Sequence, residues 1–223
     1  MDMLQRIIVN GDSFSCSRPT ANPPVKKTAS GIVAKHLKVP LINLAQGGRG
    51  NRKIVAHTKI YFEKNPTHKI NSLCIIQWSS PLRHDYITQR KTKKLKGFDT
   101  NFRTWNDNQN IDFILKQKSW DLDRDYALSQ INDILDLQSY FKNNQIDYVM
   151  YFGLPNAITS VKLGSDLKAL NNCIDYNRFV KPKDTHYKFV LRNDLGCGAD
   201  DPHPSLDGHR QWANYIIDFL SNS

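Results

Sequence analysis

Two stretches carry side chains whose types and spacing could do chemistry. Residues 7–17, IIVNGDSFSCS, end a short apolar run in Gly-Asp-Ser, so Ser13 stands where a strand would stop. A serine hydroxyl becomes a nucleophile only beside a base and donors that stabilise an oxyanion. The second stretch, GADDPHPSLDGHRQWA (198–213), offers the base, because Asp200 and His203 form D-x-x-H ahead of the last apolar-periodic segment. This spacing suits an imidazole held at one ring nitrogen by a carboxylate while the other faces a nucleophile. Asp201 is the alternative orienting acid, and Pro202 and Pro204 restrict the backbone on both sides of His203. Two further readings stay open for this stretch. Asp200, Asp201 and Asp207 could be turn and cap residues around a surface His203, or a metal could sit among Asp200, Asp201, His203, Asp207 and His209. No standard metal-ligand spacing is met. Cys16 is the thiol alternative to Ser13.

The elements that must position these residues follow from hydrophobic pattern. Contiguous β-branched and apolar runs predict buried strands at 5–10, 40–48, 72–80 and 145–155, with a fifth at 186–191 (HYKFVL). Between them, Ile32, Val33 and Leu37 mark a helix over 29–39, and Ile54, Val55, Ile60 and Phe62 mark one over 51–65. Leu128, Ile131 and Leu135, with Tyr140 or Phe141, predict a long amphipathic helix over 123–144. A closing helix over 207–220 presents Trp212, Ala213, Ile216, Ile217 and Leu220 on one face, with Asp207 as its N-cap. Strands alternating with helices predict a three-layer α/β/α sandwich around a mostly parallel five-stranded sheet. Ligands of such sheets sit outside the carboxyl ends of the strands. There GDSFS, GGRGN and QWSSPLR, the segments after three strands, would converge.

The bulk properties narrow the class. In 223 residues, 39% are hydrophobic and 23% charged, which fits one globular domain, 1–223, rather than a disordered chain. No apolar run approaches the ~20 residues of a membrane span. The N-terminal MDMLQRIIVNGDS is too polar for a signal peptide, so a cytoplasmic setting is expected. Four widely spaced cysteines without a C-x-x-C pair suggest reduced thiols rather than a disulfide or zinc scaffold. The net charge is +10, and QRKTKKLKG (89–97) carries much of it, within a polar insertion at about 83–119 that has no dependable period. A solvated, flexible insertion is the simpler reading. A patch that holds nucleic acid or an anionic glycan is the alternative, without sequence readout of its own.

Gly-Asp-Ser after the first strand, a Gly and an Asn after the second, and D-x-x-H-P before the closing helix together resemble the SGNH (GDSL-type) hydrolases. The likeness covers nearly the whole chain in motif order. It implies a flavodoxin-like sheet and a serine esterase that needs no cofactor, acting on acetyl or short acyl esters of a small molecule or a glycan. By that resemblance Ser13 is the nucleophile, His203 the general base and Asp200 the orienting acid. Backbone N–H groups of Ser13 and Gly48 are the oxyanion donors. One motif departs: where the family has G-x-N-D after the third strand, this chain has QWSSPLRHD. Asn51, Ser79 or Ser80 could replace the missing donor, and Arg83 and Trp78, with the insertion, could line the substrate side. Loss of an oxyanion donor typically costs on the order of 10²–10³ in turnover, so a weak enzyme or a fold member that only binds is the competing expectation.

Overall fold

The computed structural model describes residues 4–17, 27–88, 101–106, 122–160, 163–198 and 201–222. Its strands are β1 (Arg6–Asn10), β2 (Leu41–Asn43), β3 (Ser72–Trp78), β4 (Arg83–Thr88), β5 (Asn101–Asn106), β6 (Asp147–Phe152), β7 (Gly196–Gly198) and β8 (Asp201–Pro204). Its helices are α1 (Ala29–His36), α2 (Asn51–Lys64), α3 (Leu122–Asn143), α4 (Ala157–Ser160), α5 (Ser165–Asn171), α6 (His186–Arg192) and α7 (Leu206–Ser221).

The central sheet is parallel with order β2-β1-β3-β6. Both of its faces are covered, which is why β3 carries the contiguous apolar run Leu73–Ile76 and is buried along its whole length. Alternation along the strands divides the core in two. Ile8, Cys74, Ile76 and Met150 pack with Ile54 and Phe62 of α2 and Ile131, Ile134 and Phe141 of α3. Ile7, Val9, Ile75, Val149 and Tyr151 pack on the opposite face with Val33 of α1 and Trp212, Ala213 and Ile216 of α7. Helices on both faces of a parallel sheet make the three-layer sandwich that the alternating pattern implies.

Two sequence expectations are corrected. The central sheet has four strands, and HYKFVL forms helix α6 instead of a fifth strand. Thr185 explains the change, because its hydroxyl accepts from Lys188 N–H at 3.0 Å and caps the helix. The fifth-strand position is held by the irregular segment that precedes it, which meets β6 at two isolated bridges, Phe179 to Met150 and Thr185 to Phe152. At the closing helix the N-cap is Ser205, whose Oγ accepts from Gly208 N–H at 3.2 Å. Asp207 lies in the first turn, paired with Arg210.

The insertion, expected to lack regular elements, contains the antiparallel hairpin β4–β5. The basic segment 89–97 lies outside the described residues. Among the described residues no helix is long and apolar enough to cross a membrane.

Two buried histidines tie together the helices of one outer layer, α1, α6 and α7. His209 of α7 accepts from Ala29 N–H through Nδ1 at 3.2 Å, satisfying an orphan donor at the start of α1. Beside it His186 stacks on Trp212 with ring centroids 4.7 Å apart. Burial, reinforced by nearby His203, lowers the His209 pKa to about 4. Burial also holds His186 well below the ordinary imidazole value. Both are therefore neutral in the folded chain, and a proton on His209 Nδ1 would also break its bond to Ala29. The unfolded chain takes up its proton near 6.5 while the folded chain waits until about 4, so stability is complete above that window and falls as pH drops through it. The full effect at His209 is on the order of 3 kcal/mol. Urea midpoints at pH 7.5, 5.5 and 4.5 should fall more steeply for the wild type than for His209→Gln; parallel slopes would contradict this account.

Candidate active site

The site forms at the carboxyl edge of the sheet, where the order of connections reverses between β1 and β3. Ser13 follows β1, the Gly47–Gly48 turn follows β2, Ser79 and Ser80 follow β3, and His203 lies on β8, just ahead of α7. The short β7–β8 ribbon and Pro202 and Pro204 carry His203 to this edge.

His203 Nε2 lies 2.8 Å from Ser13 Oγ. On the other side of the ring, Nδ1 lies 2.7 Å from Asp201 Oδ1, and the same oxygen accepts from the His203 backbone N–H at 3.1 Å. The imidazole also packs on the buried Phe14 ring, with centroids 5.0 Å apart. Asp200, the orienting acid expected from the sequence, lies outside the described residues; the carboxylate on Nδ1 is that of its neighbour Asp201, the alternative. The residues of the metal-site alternative diverge, with His209 on Ala29 and Asp207 on Arg210. Among the described residues no group of three His, Cys, Asp or Glu side chains is placed to hold a metal ion.

Beneath Ser13 lies a network that the sequence reading missed. Asp12 is fully buried, and its carboxylate accepts from Phe14 N–H (2.9 Å), Gln77 Nε2 (2.8 Å), Ser79 Oγ (2.8 Å) and Arg83 Nη1 (2.8 Å). The only signal available was Asp12 itself, an acid at the end of an apolar strand. A buried carboxylate without partners would be very costly.

The substitutes proposed for the missing asparagine are gathered around this carboxylate. Asn51 accepts from Ser79 N–H at 2.8 Å and donates to Ser79 O at 3.2 Å, clamping the peptide at the end of β3. It is the first residue of α2, whose N-cap is Gly50. Ser79 Oγ is committed to Asp12, while Ser80 Oγ accepts from Leu82 N–H in the turn that follows. Trp78 is fully buried in the core under the site.

On the other flank Gly48 adopts φ +76°, a left-handed conformation that glycine takes without strain, and it faces open space. Gly47 is nearer the serine, since a Cβ on it would stand 3.8 Å from Ser13 Cβ. The buried Arg49 holds this turn, donating from Nη1 to Leu44 O at 2.6 Å and to Asn10 Oδ1 at 2.8 Å. Cys16 donates its thiol to Asp12 O, and burial with the Asp12 charge pushes its pKa up to about 11. That is the reverse of an activated thiolate.

Comparison with solved structures identifies the fold. The chain matches no family model and no curated relative. Its fold is that of the SGNH (GDSL-type) hydrolases. A protein described as lipolytic and of the G-D-S-L family, from Desulfitobacterium hafniense, superposes with a TM-score of 0.55 at 12% identity over 97% of this chain and 99% of that one. The psychrotrophic esterase EstA from Pseudoalteromonas sp. gives 0.55 at 12%, covering 98% and 97%. TesA gives 0.54 at 12%, covering 98% and 99%.

Gln77 runs between two glycines whose missing side chains make room for it. A Cβ on Gly153 would overlap the Gln77 carboxamide, and one on Gly11 would meet Gln77 Cβ at 2.8 Å. Gly153→Ala should therefore displace Gln77 from Asp12 and cost roughly 1–3 kcal/mol of overpacking strain, read as a lower urea midpoint. In a Gln77→Ala background the same substitution should cost much less. An equal cost in both backgrounds would show that the clash is not with Gln77.

Proposed function

We propose that this protein is a serine ester hydrolase in which Ser13 is the nucleophile, His203 the general base and Asp201 its orienting acid. The observation that carries this reading is the 2.8 Å approach of His203 Nε2 to Ser13 Oγ, made by residues 190 positions apart, with a carboxylate on the opposite ring nitrogen. With Nδ1 protonated and donating to Asp201, Nε2 is the acceptor. His203 takes the Ser13 proton as Oγ bonds to the ester carbonyl carbon, and Asp201 stabilises the imidazolium. The proton then passes to the leaving alkoxide, the C–O bond breaks, and an acyl-enzyme remains. Water repeats the sequence and releases the acid.

The oxyanion falls to the backbone N–H groups of Ser13 and the Gly47–Gly48 turn. Arg83 is our candidate for the donor that the G-x-N motif would have supplied. A guanidinium carries five N–H donors, and Asp12 and Ser79 engage it only through Nη1. The substrates that suit this arrangement are acetyl or short acyl esters. The competing expectation, a non-catalytic carrier of nucleic acid or anionic glycan, depends on the segment 89–97, outside the described residues.

A fluorophosphonate probe should label the wild type and leave Ser13→Ala unlabelled. Turnover of p-nitrophenyl acetate should fall roughly 10³–10⁴-fold in His203→Ala and Asp201→Asn, and far less in Asp200→Asn. Labelling that persists in Ser13→Ala, or activity more sensitive to Asp200 than to Asp201, would overturn the assignment.

A further inference from the structure

Phe14 follows the nucleophile and is 2% exposed, yet it belongs to neither of the two core clusters. Among the described residues it packs against other rings. His186 stands edge-on at 5.7 Å and 72°, and Tyr187 is tilted at 6.2 Å and 55°. His203 is nearest, at 5.0 Å and 34°, closer to parallel than to perpendicular. The wall behind the general base is thus an aromatic ring, and the backbone N–H of the same residue is fixed on Asp12 at 2.9 Å. An aliphatic side chain could fill this space. What a phenyl ring adds is a negative face, which attracts a cation within about 6 Å of its centroid.

We propose that Phe14 acts through the general base: its π face stabilises the positive charge that His203 acquires when it takes the Ser13 proton. Phe14 is thus a positioning residue, working only through the imidazole, and this role rests on the hydrolase reading above. The imidazole gains its charge during the reaction while the ring contact persists. The attraction therefore grows from the resting state to the transition state, which raises turnover rather than affinity. The surrounding groups leave this attraction to His203. Asp201 and Ser13 bond the ring nitrogens, at the edge of the imidazole rather than on its face. His186, the other imidazole against Phe14, is held neutral by burial, as is His209 beside it, so neither brings a second cation to the phenyl ring. The Asp12 carboxylate is offset by Arg83 at 2.8 Å.

The test replaces Phe14 with phenylalanines carrying one, two and three ring fluorines, which withdraw electron density from the face at nearly constant shape. With p-nitrophenyl acetate, kcat should fall stepwise with each fluorine, by about 2- to 5-fold at the trifluoro ring, the loss expected for one ordinary cation–π contact. KM and the urea midpoint should stay unchanged, the pattern of an interaction made only in the transition state. Phe14→Leu, which keeps an apolar wall without a π face, should lose at least as much kcat. Consider a wild type whose Ser13 takes the fluorophosphonate label. A flat fluorine series, full kcat in Phe14→Leu, or a loss confined to KM would then overturn the role of Phe14 and leave the hydrolase reading standing. A wild type that neither takes the label nor turns over ester would refute the hydrolase reading, and the role of Phe14 with it.

Discussion

Asp12 places a carboxylate at zero exposure beside Ser13, and a buried charge is tolerated only when its lone pairs are matched. Its partners come from separate parts of the chain: Phe14 from the same turn, Gln77 and Ser79 from the end of β3, and Arg83 from the first residue of the hairpin. Satisfying one charge therefore fixes where the chain leaves β1, where it leaves β3 and where the insertion begins. Removing any one of these donors leaves the carboxylate short of a partner, so the serine turn cannot shift without a penalty. The position of Ser13 follows from this electrostatic requirement as much as from sheet geometry.

The same logic explains why the chain dispenses with G-x-N after β3. Asn51 uses both ends of its carboxamide on the Ser79 peptide, and the Ser79 hydroxyl points down to Asp12. Both residues stabilise the strand end instead of facing the rim. A cation is left in the neighbourhood where a carboxamide is expected, and Arg83 keeps partial exposure while anchored by Nη1. Across the site, Arg49 ties the glycine turn to the body of the protein, so the two flanks of the serine are each held by an arginine with a different partner.

What the sequence disclosed follows from how each feature is encoded. The parallel sheet was legible because strands buried on both faces leave contiguous apolar runs, as in SLCIIQW. HYKFVL misled because a short segment ending in Phe-Val-Leu fits a buried strand and a short buried helix equally well; the cap at Thr185, one residue upstream, decided between them. Asp200 and Asp201 could not be separated by spacing, since the choice depends on how the β7–β8 ribbon turns its side chains. The N-cap of the last helix was misplaced by two residues because Ser205 and Asp207 are both good capping types. Arg49, Gln77 and Gly47 were invisible for a different reason. Their roles depend on contacts across the sheet edge, with partners that no local pattern links to them.

Shared residues connect the carboxylate, the serine and a polar cavity between α2, α3 and the β3–β4 turn into one mechanical unit. Arg83 both lines the cavity and grips Asp12, and Asn51 both lines it and clamps Ser79. Binding energy gained from a remote part of a substrate assists reaction only when rigid structure relates that part to the reacting atoms. Here that relation passes through the Arg83 guanidinium, anchored on Asp12, and the Asn51 carboxamide, anchored on the Ser79 peptide. Any group held by Arg83 would thus be placed relative to Ser13 by the same bonds that satisfy Asp12.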